Sequence, residues 1–254
     1  RYRKEMHGSM DDQLIREFAE KLEYLRGLDK RRDEIRSLID AQEKLTDEIN
    51  LALDKAATLS ELEDIYRPYR PKRKTRASIA KEKGLEPLAN DILKQEKGFD
   101  PSKSAVDYID EEKGVTSVED AIQGAMDIIA ELVSDNAEIR KRIRNLTNAN
   151  GVLVSVATDE EKDSVYKNYY DYKESMNFAR KLAGHRVLAV NRGEKEGFLK
   201  VSVETDSEKP LNSIFRAMIT DKNQLCSDII REACTDAYQR LIYPSIEREV
   251  RNDL

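Results

Sequence analysis

Residues 221–250 read DKNQLCSDIIREACTDAYQRLIYPSIEREV, and their apolar positions return every three or four residues. This spacing is typical of an amphipathic helix that buries one face. Pro244 lies inside the pattern, but Ile246 and Val250 continue it, so we expect a kink rather than an end. The C-terminal part of the chain is therefore predicted to be one long helix. Its main apolar row is formed by Leu225, Ile229, Ala233, Ala237 and Leu241.

Upstream of this stretch, short helical segments have recognisable starts and stops. Thr58 and Thr116 each stand three residues before a glutamate, which is the order of a capping box. Asp135 offers the same geometry with a carboxylate in place of the hydroxyl. Gly84 follows a helical pattern at the position of a left-handed helix end, and Gly27 is expected to separate two helices. We therefore predict a mainly α, multihelical fold with helix-turn-helix-like packing.

The pattern changes between residues 151 and 210. The run at 151–156 is apolar and β-branched, and the run at 198–203 alternates apolar with polar side chains, as a half-exposed strand does. Residues 185–191 favour a helix that stops at Gly193. We predict three regions along the chain: a multihelical N-terminal region over 1–150, a small α/β insertion over about 151–210, and a return to helix over 211–254.

The composition is that of a helical protein with a highly solvated surface. Charged residues make up 37% of the 254 positions, and no apolar run approaches the roughly 20 residues of a membrane span. Cys226 and Cys234 stand too far apart on a helix for a disulfide, so we expect buried thiols in a reducing cytoplasm. The chain starts at Arg1 and ends at Leu254 inside a helical pattern, which we interpret as a piece of a longer protein.

The most unusual stretch is the cationic tract, residues 66–76, with the sequence YRPYRPKRKTR. From Tyr66 to Lys83 there are eight Lys or Arg against one Glu, a charge of +7. Since the whole chain carries −6, the remaining residues carry −13. A cationic island on an acidic body indicates a partner of opposite sign, either phosphates or a carboxylate-rich surface. The predicted nucleic-acid-binding residues are Arg67, Arg70, Lys72, Arg73, Lys74 and Arg76.

Two interpretations of the cationic tract remain open. Pro68 and Pro71 favour an extended chain that spaces the cations along a rod, where they would contact phosphates without reading sequence. Tyr66 and Tyr69 would then stack on bases or pin the rod against the helices. Alternatively, the cations pair with carboxylates of the same protein. A second basic cluster, residues 140–144, alternates with apolar positions and is predicted to be the solvated face of a helix.

The sequence contains no pattern that indicates catalysis. The two histidines, His7 and His185, have no second metal ligand at a helical or zinc-finger spacing, and His185 is expected in a core or at a helix start. No Gly-rich phosphate loop with a following lysine and no nucleophile elbow occurs. Acidic runs at 110–112 and 159–161 are interpreted as solvated loop tips. We predict no catalytic residue, no bound metal and no cofactor.

Four stretches together point to a known family. Residues 62–75 read LEDIYRPYRPKRKT, and residues 84–89 read GLEPLA. With RYRKE at 1–5, and with His185-Arg186 followed by NRGEKEG at 191–197, these stretches resemble the bacterial Tex transcription accessory proteins in the same order along the chain. The likeness covers nearly the whole chain, and the proline-arginine stretch is specific enough to exclude chance.

The resemblance implies a cytoplasmic, multidomain parent protein. Its parts would be a multihelical N-terminal region, an RNase H-like domain, helix-hairpin-helix motifs and a terminal OB-fold RNA-binding domain. This chain resembles the N-terminal helical region alone. The implied partner is nucleic acid, RNA or DNA, bound without sequence specificity and mainly through the absent C-terminal domains. RNA polymerase or associated factors are further candidate partners, and no membrane association is expected.

Two functions from different classes follow. In the first, the parent is a non-enzymatic, nucleic-acid-binding transcription accessory protein, and the cationic tract is an auxiliary phosphate-contacting segment. In the second, the chain is a protein-interaction scaffold that braces the missing domains or docks on the transcription machinery, with the tract paired internally. The charge of −13 outside residues 66–83 favours the scaffold, because an acidic body repels phosphates.

Overall fold

The computed structural model describes residues 11–179, 184–220 and 222–254. These residues are mainly helical and include one three-stranded antiparallel sheet and a long C-terminal helical run, which confirms the predicted fold class. The chain divides into two compact units, Arg1–Pro71 and Lys72–Leu254. The opening signature at 1–5 and His7 lie outside the described residues. None of the described helices is both long and apolar enough to cross a membrane.

The described residues of the first unit, 11–71, form the α-helices α1 (Asp12–Asp40), α2 (Asp47–Lys55) and α3 (Leu59–Tyr66). The predicted break at Gly27 is wrong, since α1 passes through it. A helical glycine costs only about 1 kcal/mol relative to alanine, and burial of side chains beyond Gly27 outweighs that cost. The core of this unit consists of Leu28, Ile35, Ile39, Leu53, Ala56, Leu62 and Tyr66.

The cationic tract begins as helix rather than as an extended rod. A 3-10 turn, Arg67–Tyr69, continues directly from α3, and Arg67 itself is helical with φ −52° and ψ −44°. Pro68 fits because a proline at the start of a helical turn lacks only an N–H that would be unpaired there anyway. The extended conformation starts at Arg70, where φ is −66° and ψ is 132°, as expected for a residue that precedes a proline.

In the second unit, a long central helix organises the remaining helices. This helix, α7 (Val118–Asp135), buries eight residues. It packs against four other helices: α4 (Arg76–Glu82), α5 (Glu86–Lys94), α6 (Pro101–Ala105) and α12 (Gln224–Asp236). The helices up to the sheet also include α8 (Ala137–Asn150), with a 3-10 turn at Val106–Tyr108. Gly84 adopts the left-handed conformation predicted for it, with φ +85°.

Helix caps agree with the sequence to within one residue. Thr58 accepts a hydrogen bond from the N–H of Glu61, as predicted. Residues 116–120 contain two overlapping boxes, and the structure uses the later one: the N–H of Asp120 donates to Ser117, while Asp120 accepts from the N–H of Thr116. At the next boundary the cap is Asn136 rather than Asp135.

The sheet lies in the predicted insertion. Its strands are β1 (Val152–Ala157), β2 (Asp171–Ser175) and β3 (Leu199–Glu204), in the order β2-β1-β3. The first and third were predicted. The second was missed because its sequence, DYKES, has little β-propensity. A 3-10 turn at Lys167–Tyr169 precedes β2, and α9 (Met176–Ala179) follows it.

Helix α10 (His185–Lys195) confirms the helical interpretation of residues 185–191 but not its end. It passes through Gly193, which was predicted to stop it. Gly193 is instead required for close packing, because a Cβ there would lie 2.5 Å from Cδ1 of Leu199. The turn that ends the helix contains Gly197, with φ +80°.

The C-terminal helical pattern forms one continuous run after α11 (Glu208–Met218). It consists of α12 (Gln224–Asp236), a π-helical turn (Ala237–Ile242) and α13 (Tyr243–Asn252). Pro244 does not end it, as predicted; the wide turn just before it accommodates a residue that cannot donate a backbone hydrogen bond. Cys226 and Cys234 are free and buried, and burial raises the pKa of Cys234 to about 12.

Candidate nucleic-acid interface

In the first unit, Arg70 of the tract is engaged by side chains of α3. The Nη2 of Arg70 lies 2.7 Å from an oxygen of Glu63, and the Nε of Arg31 lies 2.7 Å from the other oxygen. The guanidinium groups of Arg70 and Arg31 both stack over the ring of Tyr66, at 5.8 and 5.7 Å from its centroid. Hydrogen bonding to Glu63 raises the pKa of Arg31. Tyr66 is therefore a core residue stacked by guanidinium groups, and Arg67 is half-buried.

In the second unit, the tract is attached to a row of carboxylates on α7. Asp127, Glu131 and Asp135 are spaced by four and so lie on one helix face. The Nζ of Lys72 forms an ion pair with Asp135 and lies 3.4 Å from Glu131. The hydroxyl of Thr75 donates to Glu131 at 3.0 Å. These contacts hold residues 72–75 of the tract against the central helix α7.

Thr75 also fixes the start of α4. Its hydroxyl accepts from the N–H of Ser78 at 3.0 Å, and the hydroxyl of Ser78 accepts from the N–H of Thr75 at 2.8 Å. This is a reciprocal cap in which serine takes the place of the usual glutamate. Because the cap fixes where α4 begins, Arg76 stands at its first position, directly after the extended part of the tract.

Arg240, in the π-helical turn, lies close to the row of carboxylates on α7. One of its nitrogens lies 3.7 Å from Asp127, and the guanidinium pairs with Asp236. Burial raises the pKa of Asp127, and the positive charges of Arg76 and Arg240 oppose that rise. Arg76 thus acts on Asp127 through its field, without an ion pair within 4 Å to any described residue.

Three further cations of the tract, all in the second unit, are exposed: Arg73, Lys74 and Arg76. Arg73 forms no ion pair with any residue in the described part of the chain. Lys74 lies 3.6 Å from Glu82, but both side chains are about two-thirds exposed, and such surface pairs contribute only about 0–1 kcal/mol. This group is called the exposed triad below. It is a surface whose positive charges are available to an external anion.

The second basic cluster has a different environment. Arg140 and Arg144 are buried, so their prediction as part of a solvated helix face is wrong; Lys141 and Arg142 are exposed as predicted. The guanidinium of Arg144 makes two hydrogen bonds to the carboxylate of Glu249, one of 3.2 Å. Arg140 donates to the hydroxyl of Ser245 at 3.0 Å. Both acceptors come from α13. The spacing of residues along α8 cannot predict these contacts, because their partners are distant in the sequence.

The remaining polar candidates lie apart from these groups. The acidic runs at 110–112 and 159–161 lie in turns, as predicted. His185 is exposed at the first position of α10, so it stands at a helix start rather than in a core. Across the described residues, no group of three or more His, Cys, Asp and Glu side chains could hold a metal ion.

Fold and site together define a mainly helical module with a small sheet and with the exposed triad of the cationic tract on its surface. Residues 96–254 match the family model described as Tex central region-like, and residues 1–40 match the Tex-like protein N-terminal domain. The first match alone covers more than half of the chain. The chain therefore belongs to the Tex family, as its sequence motifs indicated.

Relatives with the same coverage support this assignment. The uncharacterized protein YdcI of Bacillus subtilis is 43% identical over 257 residues, which are 100% of this chain and 35% of that protein. Transcriptional accessory protein Tex of Neisseria gonorrhoeae is 33% identical over 100% of this chain and 34% of its own length. The human S1 RNA-binding domain-containing protein 1 is 28% identical over 100% of this chain and 26% of its own length. The chain spans about a third or less of the length of these relatives.

Proposed function

We propose that this chain is part of a non-enzymatic, cytoplasmic transcription accessory protein that binds nucleic acid, and that the exposed triad supplies auxiliary phosphate contacts. The observation that carries the proposal is Arg73, an exposed guanidinium with no ion-pair partner among the described residues, followed by the exposed cations Lys74 and Arg76. The names of two relatives, a transcriptional accessory protein and an S1 RNA-binding domain-containing protein, support the nucleic-acid role.

The structure divides the six predicted binding residues by their environment. Glu63 engages Arg70, and Glu131 with Asp135 engages Lys72. A phosphate would compete with these ion pairs at both cations, although the Arg70 side chain itself is 55% exposed. We therefore assign Arg70 and Lys72 to holding their own units together, and the exposed triad to the phosphates. Arg67 is half-buried and is not part of the proposed contact surface.

The chemistry of the exposed triad fits the backbone of a nucleic acid. Arginine presents a planar fork that can donate two parallel hydrogen bonds to one phosphate, and lysine adds a point charge. Contacts of this kind do not read base sequence, and their affinity falls as salt rises. Because the rest of the chain is acidic, three cations can assist a main binding domain but cannot replace it.

The test is a fluorescence-anisotropy titration of this chain with a labelled single-stranded RNA at low salt. The Arg73→Glu/Lys74→Glu variant should bind at least about tenfold more weakly, because it loses two phosphate contacts and gains repulsion.

A matched control is Arg142→Glu/Lys167→Glu, which makes the same charge change elsewhere. Arg142 is exposed without an ion pair to a described residue. Lys167 resembles Lys74, being 70% exposed and 3.5 Å from a carboxylate. Equal losses in the two variants would show that only net charge matters.

A second candidate function is the protein-interaction scaffold, with the tract serving the fold. The observation that favours it is the engagement of Lys72 by two carboxylates that are 13% and 20% exposed. It predicts that the chain binds purified RNA polymerase without nucleic acid and that Arg73→Glu/Lys74→Glu leaves this binding unchanged. Surface plasmon resonance with immobilised polymerase is the measurement, and the absence of any binding would contradict this candidate.

A further inference from the structure

The two edge strands of the small sheet differ in how their outward backbone groups are hydrogen-bonded. In the order β2-β1-β3, both β2 and β3 are edge strands. Three of the outward backbone groups of β3, on Val201 and Val203, are bonded by side chains of α13. The carboxylate of Glu247 accepts from the N–H of Val203 at 3.1 Å, and the hydroxyl of Tyr243 donates to the Val203 carbonyl at 2.8 Å. Arg251 donates to the carbonyl of Val201 at 2.9 Å. Three side chains thus close this edge in place of a further strand.

The register of β2 shows which of its backbone groups point outwards. The N–H of Ala157 donates to the carbonyl of Tyr170, and the N–H of Met176 donates to the carbonyl of Gly151. Since alternate residues of an antiparallel strand direct their backbone groups to opposite sides, the even-numbered residues of β2 face β1. The outward-facing residues are Asp171, Lys173 and Ser175.

These outward groups are open. All three residues are exposed, and only the N–H of Ser175 has a partner, the side chain of Glu174 at 3.2 Å. The N–H and C=O of Asp171 and Lys173 have no hydrogen-bond partner among the residues that the structure describes, whereas Ser175 leads directly into α9. A row of unpaired N–H and C=O groups is the surface to which an added strand binds.

The charge around this edge indicates what kind of strand it would accept. From Asp159 to Glu174 there are six acidic residues and three lysines, a net charge of −3. The acidic loop is held against the start of β2, because the hydroxyl of Tyr170 donates to the carbonyl of Lys162 and lies 3.0 Å from the hydroxyl of Ser164. Val165, 87% exposed in the same loop, adds an apolar contact for an incoming chain.

We propose that the edge of β2 is a docking site for an extended, basic segment of a protein partner, which adds to the sheet as a fourth strand. Main-chain hydrogen bonds to Asp171 and Lys173 provide the pairing, and the acidic loop selects lysine- and arginine-rich segments. This site is independent of the exposed triad and needs no nucleic acid. The competing account is that a short, charged edge strand only prevents aggregation.

The test uses two synthetic peptides of equal length, Lys-Val-Lys-Val-Lys-Val and Glu-Val-Glu-Val-Glu-Val, with amide hydrogen exchange of this chain followed by NMR. The basic peptide should slow exchange at Asp171 and Lys173, whose N–H groups face outwards, and leave Tyr172 and Glu174 unchanged. The acidic peptide should have no effect. Absence of binding by the basic peptide, or protection without this alternation, would overturn the proposal.

Two variants separate pairing from charge. Lys173→Pro removes one outward N–H and blocks the edge, so binding of the basic peptide should fall at least about tenfold. Glu160→Lys/Glu161→Lys changes only the exposed loop and should weaken the basic peptide without altering the strand, which keeps the test decisive if the proline variant fails to fold. Unchanged affinity in this loop variant would contradict the proposed selectivity.

Discussion

Two groups of basic residues in the second unit have the same kind of sequence and opposite environments. Arg140 and Arg144 on α8 are buried against α13, and the carboxylate that meets Arg144 comes from a residue 105 positions away. Arg73 and Lys74, between the extended segment and α4, stay on the surface. Whether a cation is available to a partner is therefore decided by distant carboxylates, not by the density of positive charge in the sequence.

The largest effect expected from this comparison is at the buried pair. Arg144→Met leaves the carboxylate of Glu249 without its partner, and removing one member of a buried pair costs about 3 kcal/mol. Urea denaturation should show this loss in the free energy of unfolding. The double variant Arg144→Met/Glu249→Met should recover much of it, because no charge is left unpaired. A loss below that of an ordinary surface substitution would show that the pair is not structural.

The two lysines of the tract should differ in the same measurement. Lys72→Met should cost about 1 kcal/mol, because its carboxylate partners on α7 are mostly buried. Lys74→Met should cost less than about 0.5 kcal/mol, since its pair with Glu82 is exposed. Equal costs for the two substitutions would contradict the division of the tract into holding and exposed cations.

The smallest expected effect on stability is at the exposed triad. Arg73→Glu/Lys74→Glu should change the free energy of unfolding by less than about 0.5 kcal/mol, the usual range for surface substitutions. The melting temperature followed by circular dichroism is the check. A large drop would mean that these side chains support the fold, and a weaker RNA affinity in this variant could not then be read as lost contact.

Local structure was largely predictable from the sequence. The steps of four from Leu225 to Leu241 gave the C-terminal helix, and the position of Gly84 gave its left-handed conformation, because both depend on residues close in the chain. The misses, in contrast, have non-local reasons. Gly27 does not break α1, because the burial of side chains beyond it in the fold outweighs its low helix propensity. The sequence of β2 is too polar to predict a strand, and its pairing with β1 defines it as one.

The site was predictable only in part. Sequence alone located the six cations of the tract. Lys72 differs from Arg73 and Lys74 because it pairs with carboxylates of the row formed by Asp127, Glu131 and Asp135. That spacing of four was visible beforehand as a helix face. Its position against the tract depends on how α7 packs in the second unit, and no pattern within the tract carries that information.

The proposed function requires that Arg73 and Lys74 contact phosphates directly. The most direct test is the dependence of RNA affinity on salt for this chain and its two charge-matched double variants. Each lost phosphate contact on a single strand lowers the slope of log affinity against log salt by about 0.7. Arg73→Glu/Lys74→Glu should therefore lower the slope by about 1.4, while Arg142→Glu/Lys167→Glu should leave it unchanged. Equal slopes in the two variants would contradict the account.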